Sequence, residues 1–120
     1  MRRVTDEGVE FRSHIDGGKR FFRPEDVVRN QEMLGVDIAM ILDECPPAGA
    51  PREDVATALR RTTDWARRSR AAHRREGQLQ FGIVQGGLDL EMRAQSAGEL
   101  QEIGFDGYAV GGLSVGEGRR

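Results

Sequence analysis

Three short segments carry the residue types that can do chemistry, and each follows an apolar run. Asp43-Glu44-Cys45 comes first. A carboxylate there can accept two hydrogen bonds from an amidine-like edge, such as the ring N–H and amino group of a purine. A helix cap or a loop salt bridge is the other reading of the two acids. Cys45 as a nucleophile would need a partner, and His14 and His73 are both distant in sequence. A small wall residue is the reading the sequence favours. Gln85-Gly86-Gly87 comes second. The Gln amide offers a donor and an acceptor, and the glycines allow close backbone approach or positive φ. Taken alone, the segment reads first as a tight strand-to-helix turn with an incidental Gln. Gly111-Gly112-Leu113-Ser114-Val115-Gly116-Glu117 comes third. Exposed N–H groups there can hold a carbonyl oxygen or a phosphate. No Lys follows the glycines, so it is not a P-loop. Glu117 is either a cation ligand or a solvated acid.

The elements that must position these segments are legible. Val9 and Phe11 alternate with Glu10 and Arg12, and Asp16-Gly17-Gly18 signals a turn, so residues 4–22 read as short β segments. Pro24, Glu25 and Asp26 open a helix that Gly35 closes, with Val27, Gln31 and Leu34 on one face. Residues 37–42 form an apolar run expected to be a strand buried on both faces. A long helix is expected over residues 51–75, with Val55, Leu59, Thr62, Ala66 and Ser69 as its stripe and Trp65 flanking it. Residues 79–84 predict the second strand, 88–103 the third helix and 107–110 the third strand. The order is βαβαβ behind a hairpin-like segment. This implies a parallel sheet with right-handed crossovers and a ligand site at the strands' C-terminal ends. A closed eight-stranded barrel takes about 250 residues, and this chain has 120.

Composition narrows the function classes. With 18 basic and 20 acidic residues the net charge is −2, which gives no general attraction to nucleic acid or anionic membrane. No apolar run reaches the roughly 18–20 residues of a membrane span, and no apolar stretch follows Met1-Arg2-Arg3 as a signal peptide requires. The single cysteine excludes an internal disulfide and a cysteine-based zinc site within these residues. A cytoplasmic location is expected. Seven arginines on the second helix (Arg60, Arg61, Arg67, Arg68, Arg70, Arg74, Arg75) read as a solvated face, with a phosphate-backbone contact as the alternative. Residues 86–118 carry Arg93 as their one basic side chain.

Taken together, the segments resemble the tRNA-guanine transglycosylase (queuine tRNA-ribosyltransferase) family. The matching stretches are residues 8–17 (GVEFRSHIDG), Asp43-Glu44-Cys45-Pro46, residues 81–87 (FGIVQGG) and residues 103–117 (IGFDGYAVGGLSVGE). The resemblance implies a (β/α)8 TIM barrel with a zinc-bearing insertion. Residues 1–120 would be a partial catalytic barrel of about three βα units preceded by a β-hairpin-like segment, with no second domain. It implies exchange of guanine at the tRNA wobble position for a deazaguanine precursor of queuosine, through a covalent Asp–ribose intermediate. Asp43 would bind the pyrimidine edge of the base and Cys45 would line the pocket. Gln85 and the Gly112 N–H would hold the exocyclic oxygen. The Leu113 carbonyl and Glu117 would hold the aminomethyl group of the bacterial precursor. Cys45 and Val115 resemble bacterial members. The nucleophilic aspartate would lie beyond Arg120, the acid/base aspartate upstream of Met1, and the zinc ligands further downstream. None of these is in the chain. Its partners would be tRNA and a guanine-like base, and the family tends to homodimerise. The second reading is a non-catalytic binding paralogue or a truncated gene product.

Overall fold

The structure, a computed structural model, describes residues 2–12 and 15–113. Three strands open the chain: β1 (Arg2–Thr5), β2 (Gly8–Arg12) and β3 (Lys19–Phe22). They form an antiparallel meander in the order β1-β2-β3, with Val4 opposite Val9 and Val9 opposite Phe22. Asp16 closes the expected turn, its Oδ1 accepting from the Gly18 N–H at 2.9 Å.

Helix α1 (Pro24–Leu34) starts and stops where its punctuation requires. Pro24 occupies the first turn, Asp26 accepts from the Arg23 backbone N–H at 3.0 Å, and Gly35 ends the helix at φ 71°. Leu34 is not on the buried face, being 77% exposed. Gln31 instead turns its amide onto β4 (Ile38–Met40). It donates to the Met40 carbonyl at 2.7 Å and accepts from the Met40 N–H at 2.9 Å, so a side chain takes the place of a strand at that edge.

Beyond β4 come α2 (Arg52–Ala72), β5 (Leu79–Val84), α3 (Leu90–Ile103) and β6 (Gly107–Val110). The second sheet is parallel in the order β4-β5-β6, with Phe81 opposite both Met40 and Gly107. This is the expected βαβαβ order. The two open three-stranded sheets make a mixed α/β structure and do not close into a barrel.

The expectation of strands buried on both faces is half right. Ala39, Ile41, Gln80 and Gly82 are buried towards α2 and α3, and Ile41, Ala66 and Leu100 form the core there. Ile38 and Leu79, on the opposite face, are 47% and 45% exposed. On the second face the described residues leave Ile38 and Leu79 largely uncovered, while Ile83 packs against the core and Gln85 is buried.

Helix α2 is the hub. Its expected stripe is buried at Leu59, Thr62, Ala66 and Ser69. Trp65 does not merely flank the stripe. It is fully buried, and its indole N–H donates to the Asp6 carbonyl at 2.7 Å, which fixes the β1–β2 turn on the helix. The arginine face is also only partly solvated. Arg60 and Arg67 remain exposed, while Arg61 pairs with Asp6 and Glu44, and Arg68 grips Glu25 through two bonds of 2.8 Å. These residues fasten the meander, α1 and the loop after β4 to one helix.

Two outcomes follow. Trp65→Ala is expected to cost about 3–5 kcal/mol in urea unfolding, and a loss below about 1 kcal/mol would show that the meander does not depend on this anchor. The Arg68 guanidinium, by hydrogen bonding, holds the Glu25 carboxyl below its ordinary value against the opposing effect of burial. The stability from this depressed value is complete above the ordinary glutamate pKa of about 4.3. It is lost as pH falls through the lowered value. Arg68→Gln should therefore flatten the acid limb of the stability–pH curve, and a limb parallel to wild type would refute the linkage.

Candidate functional site

The parallel sheet delivers three loops to one end, and the register sets what meets there. Asp43 stands three residues past Met40, and Gln85 and Gly111 each stand four past a paired residue, Phe81 and Gly107. Side chains alternate along a strand, so Phe81, Ile83 and Gln85 share the open face of β5. Beside them run Gly107, Ala109 and Gly111. The small residues make room for the large ones. A Cβ on Gly107 would lie 2.4 Å from the Phe81 ring, and one on Gly111 would lie 2.7 Å from Gln85 Nε2.

Gln85 is 1% exposed, and its Nε2 donates to Asp43 Oδ2 at 2.6 Å. Its backbone N–H donates to Ser96 Oγ on α3 at 3.1 Å. Its Oε1 is buried with no hydrogen-bond partner among the described residues. Leaving a buried acceptor unpaired costs on the order of 1–3 kcal/mol. Gly112, at φ 76°, sits against the same amide, where a Cβ would lie 2.8 Å from Oε1 and 3.7 Å from Cys45 Sγ. Asp43, Cys45, Gln85 and Gly112 are therefore together. Leu113 follows and is 39% exposed. Glu117 and Val115 lie outside the described residues, as does His14.

The two adjacent acids separate. Glu44 forms the loop salt bridge, accepting from Arg61 Nη1 at 2.7 Å, and its N–H donates to Thr62 Oγ1 at 2.9 Å. Asp43 points instead to Gln85. Cys45 Sγ lies 3.8 Å from the Pro46 carbonyl oxygen. A cleft of about 220 Å3 opens beside the group, walled by the loop 46–50, Val55, Gln85, Gly87, Leu88 and Gly112. Asp43 meets this wall through its bond to Gln85, and Cys45 through Gly112. Among the described residues no three His, Cys, Asp or Glu side chains gather where a metal ion could sit. The zinc that the resemblance implies has no such group to hold it among the described residues. No helix among the described residues is long and apolar enough to cross a membrane.

Sequence reasoning passed over Arg93. Its guanidinium donates to the Gly87 carbonyl at 2.7 Å, the Gly111 carbonyl at 2.6 Å and the Val84 carbonyl at 3.4 Å, joining the loops after β5 and β6. Its signal was available: a lone base in an acidic stretch, six residues past Gly87.

A part-buried carboxylate–amide pair and a glycine backbone thus meet at the C-terminal ends of parallel strands in an α/β chain, the edge at which open α/β sheets place their ligands. The family model described as queuine tRNA-ribosyltransferase matches residues 1–120, and the chain belongs to that family. A queuine tRNA-ribosyltransferase of Solidesulfovibrio magneticus is 60% identical over 99% of this chain and 32% of its own length. Those of Pelotomaculum thermopropionicum and Desulforamulus reducens are 57% and 54% identical, each over 98% of this chain and 32% of their own length. The chain thus spans about a third of the length of these relatives.

Gly112→Ala tests the packing of the site. The new methyl group would meet Gln85 Oε1 in a backbone region that L-residues avoid. A loss of about 1–2 kcal/mol is expected in denaturant unfolding. An unchanged midpoint would show that Gly112 is not held in this conformation.

Proposed function

We propose that this chain is the base-recognition segment of a tRNA-guanine transglycosylase built on a (β/α)8 barrel. The complete enzyme exchanges guanine at the tRNA wobble position for a deazaguanine precursor of queuosine. The observation that carries the reading is the convergence of Asp43, Gln85 and Gly112 from three separate strand ends, in a chain that belongs to this family. The Asp43 carboxylate accepts from the ring N–H and amino group of the base. Two bonds from the base then take the place of the bond from Gln85. The released Gln85 Nε2, with the Gly112 N–H, donates to the exocyclic oxygen. Cys45 walls the pocket, and the Leu113 carbonyl and Glu117 take the aminomethyl group of the precursor.

Covalent chemistry belongs to residues outside this segment. There an aspartate attacks the anomeric carbon of the ribose and guanine departs with the glycosidic electron pair; the incoming base, deprotonated, then attacks the same carbon and expels the aspartate carboxylate. Residues 1–120 supply affinity and selectivity for the base and no nucleophile. The tRNA and the base are the partners, in the cytoplasm, and the assembled enzyme is a homodimer carrying zinc in its other part.

Calorimetric titration with guanine tests the reading. Binding is expected in the wild-type chain and should be lost in Asp43→Ala and Gln85→Ala at unchanged secondary structure. Binding that survives Asp43→Ala would overturn the assignment. Incubation with tRNA and radiolabelled guanine should give no incorporation, and measurable exchange by residues 1–120 would place the nucleophile within them.

A further inference from the structure

The base-binding assignments give Arg93 no role, yet it is the most committed polar group near the site. Its planar fork spends Nε, Nη1 and Nη2 on three carbonyls from two strand ends, those of Gly87, Val84 and Gly111. The bond to Gly111 is the informative one. Among the described residues no peptide bond is cis, so the Gly111 C=O and the Gly112 N–H point in opposite directions within one peptide plane. Holding the oxygen on the guanidinium turns the N–H away from Arg93. That orientation needs an external hold, because both residues of the peptide are glycines and Gly112 already sits at φ 76°. Turned over, the same peptide would offer the cleft a carbonyl acceptor instead of a donor.

We propose that Arg93 is a positioning residue. By clamping the Gly111 carbonyl it presents the Gly112 N–H as a donor, and so makes the pocket select a base with an exocyclic oxygen. The inference rests on the base-binding reading above. It adds that oxygen selectivity is set by a side chain on α3 that does not touch the base. Gly86, at φ 137°, is part of the device, since a Cβ there would lie 2.7 Å from the Arg93 backbone nitrogen. The close approach of β5's loop to α3 brings the guanidinium within reach of both loops.

The test uses the full chain with Arg93→Lys and Arg93→Gln, each checked by thermal melting, and two readouts. In 15N spectra without ligand, the Gly112 amide signal should shift or double in both variants while that of Ala39 stays in place. In titrations, 6-thioguanine keeps the ring N–H and amino edge but carries a weak acceptor, while 1-methylguanine blocks that edge. Wild type should favour guanine over 6-thioguanine by about tenfold, the worth of one hydrogen bond. Both variants should narrow this to about twofold or less, while the penalty for 1-methylguanine is retained. An unmoved Gly112 signal, or an unchanged guanine preference, overturns the proposal. Loss of cooperative melting in both variants makes the residue's role structural and also overturns it. If wild type binds neither guanine nor 6-thioguanine, the base-binding reading itself fails, and the amide spectra alone decide whether Arg93 orients the peptide.

Discussion

The cleft depends on the register of β5 between its two parallel neighbours. Phe81 stands opposite Met40 on one side and Gly107 on the other. From that pairing the two-residue period carries Gln85 to the same face as Phe81 and Ile83, next to Gly111. A slip of one residue would turn Gln85 towards α2 and α3, where Gln80 and Gly82 now pack. The large residues of β5 interlock with Gly107, Ala109 and Gly111 on β6, so the packing itself opposes the slip. Loop composition supplies the chemistry, but strand pairing decides which loop atoms meet.

The loop after β4 leaves that alternation and gives two neighbouring acids different duties. Glu44 and Asp43 are chemically similar, and their residue types do not say which would bind a ligand. Glu44 falls to the α2 side, where Arg61 and Thr62 already wait at the helix face. Asp43 accepts from Gln85. The loop is thereby fixed from behind by one carboxylate while the other is held by a partner that a base can displace. An open salt bridge is worth little, whereas Arg61 and Glu44 are both mostly buried in side chain, at 15% and 19% exposed. Their pairing spares each the cost of an uncompensated charge.

Much of this was legible in the sequence, for identifiable reasons. Pro24 and Gly35 bracket α1, and β5 and β6 match their apolar runs residue for residue, because helix punctuation and short β-rich runs are local signals. The first strand is shorter than its run, covering Ile38–Met40, because only those residues find partners on β5. Trp65 and the paired arginines were misjudged, since their partners Asp6, Glu25 and Glu44 lie 17 to 59 residues away. Helical periodicity tells which face a residue occupies, but not what arrives to cover that face. Cover also explains Ile38 and Leu79. Their apolar character suits burial, and their exposure shows that the described elements leave the start of this face on β4 and β5 open.

Arg93 shows the limit of reading chemistry from residue type. A lone arginine among acids suggests a solvated ion pair, yet its donors go to backbone carbonyls that no side-chain pattern encodes. Those carbonyls exist at that spacing because β5 and β6 end level and because Gly86 lets the chain pass close to α3. A glycine-rich loop offers conformational freedom, and freedom alone gives neither affinity nor selectivity. The backbone becomes a defined donor only where something rigid removes the choice. Here the rigid part is a planar guanidinium anchored on a helix, and the glycines matter because they let the peptide conform to it.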